Sequence, residues 1–223
     1  RLFHATENLD GPTDRGLTKR VVRTITNPKL AKLLMSQYIK DGVDAVKVYD
    51  QLSEEVLRVI VAEAKKANLP VIGHFKDVRV AARVGAHGIE HTNAVANAIV
   101  DEPSMKEAKK RVRQGFPLMS QFFMDSSKLP GIVELMVKNN LYLNPTFRGD
   151  WAGDRSQLEK GFHYEDFDLL INDWRLRYVP LAFRMAAMKE YQEIGVWNWR
   201  DLSLYERNLF NQGYQNTQRL VKT

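Results

Sequence analysis

Asp44-Ala45-Val46-Lys47-Val48-Tyr49, then Leu69-Pro70-Val71-Ile72-Gly73-His74, then Gly88-Ile89-Glu90-His91 are the runs whose reading decides the fold. Each is short and apolar, and each carries an ionisable group at or near its end: Lys47, His74 and His91. Strands are expected over Val43–Tyr49, Leu69–Ile72 and Gly88–His91. Between the first two, Ser53–Asn68 places Val56, Leu57, Val59, Ile60, Val61 and Ala64 at helical spacing, and Asp77–Val84 is a shorter helical stretch before the third. Strand–helix–strand–helix–strand implies parallel strands joined by right-handed crossovers. Strands joined in this way end on one face, so Lys47, His74 and His91 are expected to converge there. In α/β barrels that face carries the chemistry.

The rest of the chain extends the pattern in both directions. Arg1–Gly16 holds a short apolar start and a turn at Asp10-Gly11-Pro12. Asn27 is an N-cap with Pro28 at the first helical position, and that helix runs to about Lys40 before Asp41-Gly42 ends it. Ser53 caps the next helix, with Glu54 and Glu55 over the positive end of its dipole. After His91 come a polar, Asn-rich loop, a helix near Ser104–Gln114 and an amphipathic helix over Leu129–Asn139. Leu141–Leu143 is a fourth strand, ending at Asn144-Pro145-Thr146. Residues from about 147 to 178 form a long polar, aromatic-rich loop, the kind of segment that covers active sites. Helices follow over Val179–Ile194 and Arg200–Thr223.

Composition narrows the classes. At 223 residues the chain is most simply one domain with a full core, somewhat short of the roughly 250 residues of a complete eight-unit barrel. It begins at Arg1 with a first unit already under way and is read as part of something longer. There is no cysteine, which excludes disulfides and thiolate metal sites and leaves the compartment open between cytoplasm and periplasm or exterior. No run of about 18 apolar residues is present to span a membrane. The net charge is +6, but its densest cluster, Lys106–Arg113, reads as a solvated helix face without aromatic interleaving, so no nucleic-acid partner is expected.

Two imidazoles beside a lysine, with no thiolate, suit a catalytic divalent metal of the zinc type. A lysine ammonium has donors only and cannot bind a metal. It does so only after losing its proton and being carboxylated to a carbamate, and desolvation at a strand end lowers its pKa in that direction. Glu90 precedes His91, so on a continuous strand it faces the other way, and it is read either as a supporting partner of the ligands or as helix-facing, not as a ligand itself. His87 falls in the turn Gly85-Ala86-His87-Gly88 and is expected to be exposed. His4 and His163 are given surface or loop roles, and Asp150, Asp154 and Asp168 are read as solvated. Tyr49, Arg148 and Trp151 are candidates to touch a substrate.

With these residues in place, Val46-Lys47-Val48-Tyr49, Leu69–His74, Gly88-Ile89-Glu90-His91-Thr92 and Leu143-Asn144-Pro145-Thr146 together resemble the amidohydrolase superfamily, in its branch of imidazolonepropionase-like enzymes and metal-dependent prolidases. The resemblance covers most of the chain up to Thr146 and the final helix. It implies a TIM-like (β/α)8 barrel in which Lys47 is the carboxylated ligand on the fourth strand, bridging two metals. His74 and His91, on the fifth and sixth strands, would bind the second metal. It also implies one or two Zn²⁺-like ions, hydrolysis of a C–N bond, and a small-molecule or dipeptide substrate. A homo-oligomer is compatible with it. The family's His-x-His pair and its eighth-strand aspartate are not found here. By this alignment strands one, two and eight lie outside the chain, and the piece alone is expected to be inactive.

Three other readings compete. His74 alone could be a core histidine satisfied by backbone groups. Lys47 alone could be a Schiff-base lysine. The whole could be a non-catalytic barrel domain that binds a small molecule or a partner.

Overall fold

The computed structural model describes residues 2–12, 22–114, 116, 118–145, 174–185 and 202–222. Among them six strands form one sheet in which every pairing is parallel: β1 (Asn8–Asp10), β2 (Val22–Thr24), β3 (Val46–Val48), β4 (Val71–Gly73), β5 (Gly88–Glu90) and β6 (Tyr142–Asn144). The order across the sheet is β2-β1-β3-β4-β5-β6. From β3 onward, neighbours in sequence are neighbours in space, as repeated strand–helix units require. At the start this rule breaks. β1 sits between β2 and β3, so the chain from β2 crosses over β1 to reach β3. β1 falls in the stretch read as a short apolar start and a turn, and β2 between that stretch and the Asn27 cap, where no element was expected, because three-residue strands carry too little alternation to read.

The helices form where their ends are capped and their apolar residues fall on one side. In α1 (Pro28–Asp41), the Asn27 side chain accepts the Leu30 N–H at 3.0 Å, and Gly42 closes the helix in the left-handed region at φ 76°. In α2 (Glu54–Lys66), Ser53 Oγ accepts the Val56 N–H at 3.3 Å. In α3 (Val78–Val84), Asp77 accepts the Arg79 N–H at 2.7 Å. The stretch read as an Asn-rich loop contains a short helix, α4 (Asn93–Ala98), followed by α5 (Glu102–Arg111). Helices α6 (Leu129–Lys138) and α7 (Leu204–Lys222) come after them. Trp174–Tyr178, expected to be loop, is a 3-10 helix, and residues 181–185 are helical. The remainder of the expected 179–194 helix and of the 147–178 loop lies outside the described residues.

The described residues pack into two hydrophobic cores. In the main one, Val46, Val48, Val71 and Ile89 of the sheet pack on Met35, Ile60, Ala64, Val78, Ala81 and Ile132 of the helices. Full burial of each such aliphatic side chain contributes about 1.5–3 kcal/mol. The second core joins α5 (Ala108), Phe116, the 3-10 turn Ser120–Phe123 and α7 (Leu209). Phe210 meets Phe122 and Phe116 edge-on, with ring centroids 5.1 and 5.4 Å apart. At the start of α7, Ser203 and Glu206 form a capping box: Glu206 N–H donates to Ser203 Oγ at 3.2 Å, and Ser203 N–H donates to the Glu206 carboxylate at 2.8 Å. Among the described residues no helix is long and apolar enough to cross a membrane.

Candidate metal centre

Register decides which side chains share a face. Lys47 lies beside Ile72 and Val48 beside Gly73, while Ile72 lies beside Gly88 and Gly73 beside Ile89. Side chains alternate along each strand. Val46, Val48, Val71 and Ile89 therefore enter the helical layer, where they are at most 1% exposed. Lys47, Ile72 and Glu90 take the opposite face and are half-buried.

The backbone conformation of Gly73 fixes how the chain leaves β4 here. A Cβ on Gly73, whose φ is +147°, would stand 2.0 Å from the Val48 carbonyl oxygen, so only glycine fits between β3 and His74. His74 is then locked to β3 by its own N–H, which donates to Val48 O at 2.9 Å. Lys47 is held from the other side, its N–H donating to Thr6 Oγ1 at 3.0 Å.

Of the two placements read for Glu90, the helix-facing one is corrected. Glu90, not His91, ends strand β5, and His91 has φ +64°. Alternation stops where the extended backbone stops, so the two side chains do not face opposite ways. The Glu90 carboxylate forms an ion pair with Lys47 Nζ, and its Oε2 lies 3.9 Å from His74 Nε2. The signal was legible: Ile89 is the core residue of that run, which puts Glu90 on the same side as Lys47.

The left-handed turn at His91, costing about 1–2 kcal/mol for a residue with a Cβ, lays its imidazole flat on that of His74. The ring centroids are 4.6 Å apart and the planes 4° from parallel. Its N–H donates to Asn144 O of β6 at 2.8 Å. Tyr49 meets the His74 ring edge-on at 4.1 Å.

The structure thus brings Lys47, Tyr49, His74 and His91 together at the C-terminal ends of adjacent strands, and adds Glu90. One ligand atom each from His74, Glu90 and His91 lies within 4.8 Å of the others. Two imidazoles and a carboxylate are the donor set of a zinc-type ion, so the residues present fit such a metal. Lys47 shares the group through Glu90, and burial lowers its pKa from the ordinary lysine value.

A cavity of about 410 Å³ opens beside these residues. Its opposite wall includes Asn93, Asn97, Ser120 and Gln121, which sequence reasoning did not single out. Asn93 and Asn97 come from α4, which follows His91 directly and packs in the main core, whereas Ser120 and Gln121 come from the 3-10 turn of the second core, for which the chain shows no local pattern. His87 is exposed, its Nδ1 accepting the Val71 N–H at 3.1 Å, and His4 is exposed with Nδ1 3.6 Å from Asp44. Arg148, Trp151, His163, Asp150, Asp154 and Asp168 lie outside the described residues.

No family model matches the chain, and no curated protein matches it. Among solved structures, a bottromycin amidohydrolase resembles it with a TM-score of 0.50 and 15% identity, over 96% of this chain and 41% of that one. A Xaa-Pro dipeptidase with methionine bound in its active site matches with a TM-score of 0.38 and 18% identity, over 92% of this chain and 39% of that one. The structural neighbours are amidohydrolase- and prolidase-type proteins, and the first shares this chain's α/β fold. The chain spans less than half the length of either.

Proposed function

We propose that this chain forms part of a (β/α)8 barrel in a metal-dependent hydrolase that cleaves a C–N bond of a cyclic amide or a dipeptide. The observation that carries this reading is the convergence of His74, Glu90 and His91 at the ends of neighbouring parallel strands. A zinc-type ion held there supplies a polarised carbonyl and a bound water with a pKa near neutrality. His74 and His91 would hold the ion, their rings fixed by mutual stacking and by the edge of Tyr49. Glu90 would either complete the ligand set or hold Lys47 charged beside it, and Lys47 becomes available for carboxylation only when that pair opens. Arg148 and Trp151 remain candidates for contacting the substrate. The six strands here would fill most of such a barrel, and the family's His-x-His pair and proton-handling aspartate, on strands outside these six, would complete the active enzyme.

The test is calorimetric titration of the protein with Zn²⁺. Stoichiometric binding that is lost in His91→Ala supports the reading. Absence of stoichiometric binding, or binding unchanged in His91→Ala, would sink it. A substrate carbonyl trapped on Lys47 by borohydride without metal would move the assignment to Schiff-base chemistry instead.

A further inference from the structure

We infer that Gln121 is the residue that positions His91, with α7 as its outer anchor; the zinc arm of the test rests on the metal reading above, whereas the ring arm does not.

His91 adopts a left-handed backbone at φ +64°, which brings its ring onto His74. A non-glycine residue stays in that region only where its surroundings determine it. Upstream, the ladder holds it through its N–H to Asn144 O. Downstream, the next residue is Thr92, which is fully buried. Thr92 stands at the N-cap of α4, yet its hydroxyl makes no capping bond. That hydroxyl instead accepts from Gln121 Nε2 at 3.1 Å, and the same amide also bonds Asn93 Oδ1. Two consecutive residues after His91 are therefore tied to one side chain.

Gln121 is itself fixed. It is 3% exposed and sits in the 3-10 turn of the second core, and its backbone carbonyl accepts from Asn216 Nδ2 of α7 at 2.9 Å in a buried contact. The line Asn216–Gln121–Thr92–His91 runs from the second core to the imidazole pair. Outer partners that orient a metal-ligating histidine commonly change metal affinity 10–100-fold when removed. Here the partner acts on the ligand's backbone rather than on its ring nitrogen.

The full chain is tested in three variants. Gln121→Leu keeps the bulk and removes the donor, Thr92→Val removes the acceptor isosterically, and Thr92→Ser restores a hydroxyl. NMR contacts between the His74 and His91 ring protons read the stack without any metal. Zinc titration reads its consequence, and circular dichroism verifies the fold. The expected result is loss of the ring contacts in Gln121→Leu and Thr92→Val, with zinc affinity weakened tenfold or more, and retention of both in Thr92→Ser. Ring contacts that persist in folded Gln121→Leu and Thr92→Val would overturn the proposal and leave the bond to Asn144 as sufficient. If the unmodified chain shows the ring contacts but binds no zinc, the metal reading fails, and the ring contacts alone decide the role of Gln121. Should Gln121→Leu not fold, the contrast between Thr92→Val and Thr92→Ser decides that role by itself.

Discussion

Lys47 of β3 and Glu90 of β5 form an ion pair across the intervening strand β4, on the face that also carries His74. Gly88, beside Ile72 on β5, helps leave that face open: a Cβ there would press on Ile72 Cγ2 at 3.2 Å. The lysine is thus pulled two ways. Burial lowers its pKa, and the carboxylate favours its charged form.

Removing the carboxylate should let the first effect win. In Glu90→Gln the Lys47 pKa is expected to fall further below its ordinary value, and the neutral amine should add CO₂ to give a carbamate and a proton. A carbamate carbon signal from ¹³CO₂-treated protein should be stronger in Glu90→Gln than in the unmodified chain at the same pH. An equal or weaker signal would mean that Glu90 does not hold the amine protonated.

Tyr49 should matter to metal through its ring, not its hydroxyl. Edge-to-face aromatic pairs contribute about 0.5–1.5 kcal/mol, which corresponds to roughly a 2–10-fold change in affinity. Tyr49→Phe should leave zinc affinity near its starting value, and Tyr49→Leu should weaken it within that range. Titration calorimetry on the two variants separates the cases. Equal loss in both would point to the hydroxyl.

Two glycines give a graded stability test. Gly42 has φ +76° and open space where a Cβ would stand, so Gly42→Ala should cost only the left-handed penalty of about 1–2 kcal/mol. Gly73→Ala adds a clash with a backbone carbonyl and should cost more than about 3 kcal/mol, or prevent folding. Urea unfolding ranks them. A Gly73→Ala variant as stable as Gly42→Ala would show that β3 and β4 can separate freely.

Glu206 links the second core to pH. Burial pushes its pKa up, but hydrogen bonds from the Arg113 and Ser203 backbone N–H groups and from Ser203 Oγ outweigh that and hold it below the ordinary glutamate value. A depressed carboxylate pKa contributes stability that is complete above the unfolded value of about 4.5 and is lost as pH falls through the folded value. Glu206→Gln should therefore cost about 1–2 kcal/mol at pH 7, with the difference from the unmodified chain shrinking as the pH drops below 4.5. Urea midpoints measured from pH 7 to pH 3 check the sign, and a gap that widens in acid would refute it.

The sequence by itself determined the elements with a strong local cause. Asn27-Pro28, Ser53 with its two glutamates, and Asp41-Gly42 mark helix ends because capping is a bond between residues two to four apart. The order of strands β3 to β6 followed from alternation of strand and helix, and with it the meeting of Lys47, His74 and His91 at one edge. Tertiary structure decided the rest, through contacts between residues far apart in the chain. The insertion of β1 between β2 and β3 depends on pairing energies that three-residue strands do not display. The second core unites Phe122 with Phe210 across a span that no periodicity covers. His91 joins Glu90 on the site because β5 ends one residue earlier than its apolar run suggests and His91 turns left-handed. That turn is a backbone choice imposed by neighbours on β6 and in the Gln121 turn, and nothing in Glu90-His91-Thr92 alone favours it.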